Sequence, residues 1–166
     1  MPITDARALD PELRRAHAFD IAWHALRRRD RTEAELRRAL AAKRVAPELI
    51  DEVLAELAEQ GYVDDAGYAR RFAEDRRRLD GWGPERIERR LRAAGVAHEH
   101  IHDALGARAP EDDLEAAVTL LARRFPSPPT SAADLDRAVG VLLRKGYGLE
   151  LAHDALRRFT EEPLGE

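Results

Sequence analysis

The sequence contains no cysteine. A disulfide framework and a thiolate metal site are therefore excluded, and a reducing compartment suits the chain. No apolar run approaches the roughly 18 residues that a membrane-spanning helix needs, and the first residues lack the basic and apolar segments of a signal peptide. We therefore expect a cytoplasmic protein.

The motifs of common catalytic sites are also missing. There is no glycine-rich phosphate loop, no Gly-x-Ser-x-Gly elbow and no nucleophile with a base beside it. His98 and His102 share a helix face at a zinc-like spacing, with His100 between them, but no His-Glu-x-x-His pattern or cysteine completes a metal site. We expect a protein that is not an enzyme and uses no metal or cofactor.

Aromatic residues are scarce at 5%, whereas apolar residues reach 44% and charged residues 36%. The core must therefore be aliphatic, and the surface must be large and strongly charged. The net charge is −4, and 26 of the 28 basic residues are arginine. The arginine fork suits phosphate and carboxylate groups, but a GC-rich genome produces the same bias, so the excess alone decides nothing.

The chain repeats itself with a period of 51 residues, which separates Arg44 from Gly95 and Gly95 from Gly146. Apolar or small residues recur at five fixed offsets from these anchors, and their i,i+4 spacing predicts an amphipathic helix on each side of every anchor. The five columns are Leu36, Ile87 and Ala138; Leu40, Leu91 and Leu142; Val45, Val96 and Tyr147; Ile50, Ile101 and Ala152; and Leu54, Leu105 and Leu156.

Helix start and stop signals complete this pattern. Thr32 opens a capping box and Ser131 a weaker one, prolines occupy first helical positions, and the anchors fall where a helix ends in a left-handed residue. At Arg44 this conformation would cost roughly 1 kcal/mol. The predicted helices are 11–29, 33–43, 47–59, 66–79, 84–94, 98–107, 111–124, 132–145 and 149–160.

The predicted fold is all-α, with three tandem three-helix repeats of the helix-turn-helix kind in an elongated, curved arrangement. Residues 1–62 hold an N-terminal helix and the first repeat, 63–108 the second repeat, 109–160 the third repeat and 161–166 a flexible tail. Helical repeats of this kind provide extended surfaces for long partners.

The segment between the first two repeats reads Gly61-Tyr62-Val63-Asp64-Asp65, followed by Tyr68-Ala69 and Phe72-Ala73. Over residues 18 to 158 the chain resembles the RecX family, bacterial regulators of the RecA recombinase, whose linker typically reads Gly-Tyr-Leu-Asp-Asp. Val63, Arg44 and a proline-rich insertion after Phe125 depart from the family pattern.

The resemblance implies a non-enzymatic protein of DNA repair and the SOS response. Such a protein binds the RecA–single-stranded-DNA filament in its groove and inhibits or modulates its recombinase, ATPase and co-protease activities. It would act as a monomer, with single-stranded or duplex DNA as a further candidate partner.

The linker itself, Gly61, Tyr62, Asp64 and Asp65, has a structural interpretation. We expect Asp65 to cap the helix that begins at residue 66 and Asp64 to brace the turn after Gly61.

Arginine clusters are the candidate binding residues. Many have acidic neighbours at helical spacing and would simply form a solvated face, but the second repeat carries more arginines than nearby acids can pair, which indicates an anionic partner. The candidate set is Arg27, Arg28, Arg37, Arg38, Arg70, Arg71, Arg76, Arg77, Arg86, Arg89 and Arg90.

Among the aromatic residues, Tyr62 and Trp82 flank linker glycines and are candidate base-stacking platforms. Trp23, Tyr68 and Phe72 fall on apolar stripes and are expected in the core.

Two other functions remain open. A helix-turn-helix module that reads duplex DNA would bind a specific sequence, usually as a dimer. A structural adaptor for another protein would use the arginines only for solubility.

Overall fold

A computed structural model describes residues 10–161, and within this range the chain forms nine α-helices and no strand. The helices are α1 Pro11–Leu26, α2 Glu33–Ala42, α3 Pro47–Glu59, α4 Asp65–Asp80, α5 Pro84–Ala93, α6 His98–Gly106, α7 Pro110–Arg124, α8 Ala132–Lys145 and α9 Leu149–Glu161. None of them is both long and apolar enough to cross a membrane. The predicted all-α repeat fold is confirmed.

The predicted flexible tail lies outside the described residues, apart from Glu161, which ends α9. The predicted repeat boundaries at residues 62 and 108 stay predictions.

The expected caps are present at the helix starts. Thr32 accepts a hydrogen bond from the Glu35 N–H at 3.2 Å while the Glu35 carboxylate accepts from the Thr32 N–H, which completes the capping box. The Ser131 side chain accepts from the Asp134 N–H in the same way. These bonds satisfy backbone donors that the first turn of a helix leaves without partners.

The first helix ends three residues earlier than predicted. Its last turn tightens at Arg27 and Arg28, and the chain then reverses direction. The two terminal guanidinium nitrogens of Arg29 each donate to a carboxylate oxygen of Glu35 at 2.9 Å. This pairing requires a turn where the sequence pattern alone predicted another helical turn.

One compact unit comprises residues 10–68 of the described chain together with 94–97. Its core is aliphatic, as the composition predicted. The buried residues are Ala18, Ala22, Leu36, Leu40, Ile50, Val53, Leu54, Leu57 and Val63.

The second unit comprises residues 69–93 and 98–161 of the described chain. A core cluster of this unit is formed by α7, α8 and α9. The buried residues there are Ala117, Leu121, Ala138, Leu142, Tyr147, Ala152, Ala155, Leu156 and Phe159. Leu91, which the repeat pattern equates with Leu40 and Leu142, is also buried, so all three members of that column occupy core positions.

The three anchors adopt the left-handed backbone that the repeat predicted, with φ of 61° at Arg44, 80° at Gly95 and 94° at Gly146. The two glycines are closely packed. A Cβ on Gly95 would lie 2.3 Å from the Ala34 Cβ, and one on Gly146 would lie 2.2 Å from the Arg86 Cβ. Arg44 is exposed, which explains why a side chain is tolerated at this anchor.

Polar contacts reinforce both packed turns. The buried Thr32 hydroxyl donates to the Ala94 carbonyl at 2.6 Å. In the second unit, the Gly83 N–H donates to the Lys145 carbonyl at 2.8 Å, and the Glu85 N–H donates to the Gly146 carbonyl at 2.9 Å. Each glycine turn therefore rests against the start of an earlier helix, α2 in one case and α5 in the other.

Candidate partner-binding site

The linker motif is a structural junction in the first unit. Gly61 has a φ of 80° and ends α3, while the Tyr62 N–H donates to the Leu57 carbonyl at 2.8 Å. Val63 is buried in the core. The glycine and the apolar residue therefore close one helix and fix the chain before α4 begins.

Neither aspartate of the linker has the role that we expected. The Asp64 carboxylate accepts from the Gly67 N–H at 2.9 Å, and its carbonyl accepts from the Tyr68 N–H, so Asp64 is the cap and α4 begins at Asp65. Asp65 instead accepts from the Glu33 N–H, at 2.9 Å, and caps α2. The prediction was wrong because a carboxylate in the first turn of α4 can reach a donor on another helix, which local spacing does not reveal.

Tyr62 packs edge-on against Trp23, with ring centroids 4.6 Å apart and planes at 84°. Trp23 is half-buried and belongs to the packing around the core, as expected, whereas Tyr62 keeps 53% of its surface exposed. Tyr68 is half-buried too, and this burial raises the pKa of its hydroxyl. Base stacking on Tyr62 stays a prediction.

The candidate arginines of the first unit differ in how fully their charges are compensated. Arg37 forms ion pairs with Glu33 at 3.2 Å and Asp51 at 2.7 Å, and Arg27 donates to a backbone carbonyl of its own helix. Arg28 and Arg38 are exposed and form no ion pair within residues 10–161. The four residues therefore do not form one uncompensated cluster.

In the second unit, three candidate arginines surround one indole. The guanidinium carbon of Arg86 lies 4.1 Å from the Trp82 ring centroid, that of Arg76 5.7 Å and that of Arg90 5.9 Å. Phe72 completes the group, with its centroid 6.2 Å from that of Trp82. We call these five residues the Trp82 cluster; cation–π attraction holds its guanidinium groups in place.

Two members of this cluster make further polar contacts. Arg86 donates to the Arg144 carbonyl at 3.1 Å, and Arg76 lies 2.6 Å from the Asp80 carboxylate. Arg86 lies over the Trp82 ring, so a nucleic-acid base that stacks on that face would have to displace the guanidinium. Base stacking on Trp82 stays a prediction.

The outer face of α5 carries two uncompensated charges. Arg89 is exposed and forms no hydrogen bond or ion pair with any residue between 10 and 161, and Arg90 makes only the distant contact with Trp82. Arg92, by contrast, pairs with Glu88. Arg89 and Arg90 therefore present two adjacent cations to solvent.

The remaining candidates, Arg70, Arg71 and Arg77, project from α4. Arg71 is exposed, whereas Arg70 and Arg77 line a groove of about 520 Å³. Arg77 donates to the Leu105 carbonyl at 3.1 Å. Arg108 lines the same groove from beyond α6. Arg108 was not among the predicted binding residues, because nothing in its spacing connects it with residues on α4.

His98, His100 and His102 lie on α6, where the rings of His98 and His102 are 6.3 Å apart. In the part of the chain that the structure describes, no three histidine, aspartate or glutamate side chains are grouped as metal ligands.

Comparison with known proteins places this arrangement in a family. Residues 18–57 match the family model for the first three-helix domain of RecX, and residues 64–105 match that for the second. The regulatory protein RecX of Deinococcus radiodurans is 38% identical over 140 residues, which span 84% of this chain and 67% of that protein. The regulatory protein RecX of Shigella boydii is 34% identical over 160 residues, which span 88% of this chain and 93% of that protein.

A solved structure has the same fold. The crystal structure of RecX from Lactobacillus salivarius superposes with a TM-score of 0.78 at 21% identity, covering 88% of this chain and 96% of that one. The chain belongs to the RecX family of regulatory proteins.

Proposed function

We propose that this protein is a non-enzymatic regulator that acts in the cytoplasm as a monomer. It binds the RecA–single-stranded-DNA filament and inhibits or modulates the recombinase, ATPase and co-protease activities of that filament. The relatives named regulatory protein RecX support the regulatory role. The observation that supports an anionic partner is the pair of uncompensated cations, Arg89 and Arg90, on the outer face of α5.

Uncompensated surface arginines contribute to binding mainly when a partner supplies anions. An exposed ion pair within one protein stabilises it by less than about 1 kcal/mol, so Arg89 and Arg90 add little to the fold. A filament that contains DNA carries a dense array of phosphates, and each cation that neutralises a phosphate releases a counterion. Binding through these residues should therefore weaken as the salt concentration rises.

The test is co-sedimentation with RecA filaments at several salt concentrations, using the parent and the double variant Arg89→Ala, Arg90→Ala. Arg86 is left intact because it also donates to the Arg144 carbonyl. A matched control is the pair Arg123→Ala, Arg124→Ala, two exposed arginines at the end of α7. Circular dichroism checks that all variants keep their helicity.

The α5 variant should bind more weakly than the control, with a salt slope reduced by about 1 for each phosphate contact that is lost. Binding of the α5 variant equal to that of the parent at every salt concentration would exclude this surface. A parallel measurement with DNA alone separates the alternative, because a helix-turn-helix reader would bind duplex DNA with a sequence preference and without RecA.

A further inference from the structure

A cationic feature separate from the α5 arginines lies along α4, in the groove that Arg70, Arg77 and Arg108 line. Residues at positions 70, 74, 77 and 78 share one face of the helix, since their spacing is that of successive turns. They face the end of α6 and the residues after it. The groove is lined by Arg70, Glu74, Arg77, Arg78, Ala104, Ala107 and Arg108. We call this feature the α4–α6 groove.

The described residues that line the α4–α6 groove have unbalanced charges, with four guanidinium groups against one carboxylate. Arg70 forms no hydrogen bond or ion pair with any described residue from 10 to 161, and Arg78 makes a single contact, with Asp75 at 3.4 Å. Arg108 forms an ion pair with Asp113, whose carboxylate lies 3.4 Å from the arginine Nε. The groove thus retains positive charge that the described residues do not neutralise.

The positive charge of Arg77 lies partly below the surface of the groove. It is half-buried, and its Nε is buried and has no hydrogen-bond partner within the described range. Burial lowers the pKa of its guanidinium, and the nearby Asp113 offsets this effect only in part. A partly buried cation of this kind is stabilised by an anion that enters the groove, because electrostatic attraction is stronger where water is excluded.

The rest of the lining indicates which anion. Proteins that bind single-stranded nucleic acid combine a cationic groove with aromatic side chains on which bases stack. Among the described residues, no aromatic side chain lines the α4–α6 groove, and its apolar side chains are those of Ala104 and Ala107. Small alanine side chains leave room for an aliphatic side chain of a bound chain, while the planar arginine forks suit carboxylates.

We propose that the α4–α6 groove binds an acidic peptide segment of a partner protein, with Arg70 and Arg78 pairing its carboxylates. Glu74, between them on the same helix face, repels the ligand and thereby limits its affinity. The inference depends on the proposed function only in taking the partner to be a protein.

The experiment measures fluorescence anisotropy with a labelled eight-residue peptide of alternating glutamate and alanine. A labelled oligothymidine of equal charge is measured in parallel. The variants are Glu74→Gln and the double variant Arg70→Ala, Arg78→Ala. Arg77 and Arg108 are left intact because they donate to the backbone carbonyls of Leu105 and Asp112. Arg123→Ala, Arg124→Ala again removes two exposed charges elsewhere in the same unit.

The peptide should bind about tenfold more weakly to the double arginine variant and about twofold to fivefold more tightly to Glu74→Gln, while the control pair binds as the parent does. Equal binding by the parent and the double arginine variant would overturn the proposal, as would failure of the peptide to bind. Tighter, groove-dependent binding of the oligothymidine would overturn it in favour of a nucleic-acid ligand. Because RecA is absent from this assay, its outcome is independent of the filament co-sedimentation.

Discussion

Replacing Gly95 with alanine should destabilise the protein far more than the same replacement at Gly61. Both glycines have a φ of 80°. An added Cβ meets nothing within 4 Å at Gly61, but at Gly95 it would lie 2.3 Å from the Ala34 Cβ. The pair therefore separates the cost of backbone strain from the cost of overpacking.

The expected magnitudes follow from these two terms. A left-handed conformation costs an L-residue about 1–2 kcal/mol, and alanine recovers about 0.4–1 kcal/mol by restricting the unfolded chain. The unfolding free energy of Gly61→Ala should therefore fall by about 1 kcal/mol. Gly95→Ala adds about 1–3 kcal/mol of overpacking, for a total loss of about 2–4 kcal/mol.

Urea unfolding followed by circular dichroism measures both losses. Gly146→Ala should resemble Gly95→Ala, since its added Cβ would lie 2.2 Å from the Arg86 Cβ and 2.6 Å from the Arg86 backbone nitrogen. Losses at Gly95 and Gly61 that agree within about 0.5 kcal/mol would show that the turn shifts freely and that its packing does not require glycine. The physical account of the repeat anchors would then be wrong.

Three further substitutions test other contacts. Thr32→Val should lower the unfolding free energy by about 2–4 kcal/mol, because it leaves the Ala94 carbonyl without its donor, at about 1–3 kcal/mol, and the Glu35 N–H without its capping acceptor, at about 1 kcal/mol. An unchanged urea midpoint would contradict this. Asp65→Ala should remove about 1 kcal/mol by exposing the first N–H of α2, at Glu33, and a loss of α4 helicity instead would contradict the assigned role. Burial raises the pKa of Asp113 above its ordinary 3.8. The folded state therefore binds more protons than the unfolded state, and the free energy of unfolding falls as the pH rises above about 4. Asp113→Asn should flatten this decline, and an unaltered pH profile would argue against a perturbed carboxyl group.

Helix-level features were predictable because they depend on neighbouring residues. The capping box at Thr32, the cap at Ser131 and the left-handed anchors each follow from residue types at fixed offsets. Predicted helix ends differ from the structure by only a few residues, with the largest difference at the end of α1. Arg29 explains that difference through its pairing with Glu35, six residues away.

The candidate site was less predictable. Charge counting selected the arginines of the second repeat, but it could not separate Arg86, which stacks on Trp82 and donates to a distant carbonyl, from Arg89, which forms no ion pair among the described residues. The roles of Asp64 and Asp65 were also not predictable from local spacing, because they depend on which helix each carboxylate reaches.

The sequence by itself determined the helices, their caps and the period of 51 residues, because hydrogen bonding and apolar periodicity within a helix depend on residues a few positions apart. Only the tertiary structure decided why glycine is needed at residues 95 and 146 but not at 44, and which arginines are already compensated. It also brought Arg108 to the groove beside residues of α4. These properties depend on contacts between segments that are tens of residues apart, and such contacts are fixed by the packing of whole helices and leave no signal in local spacing.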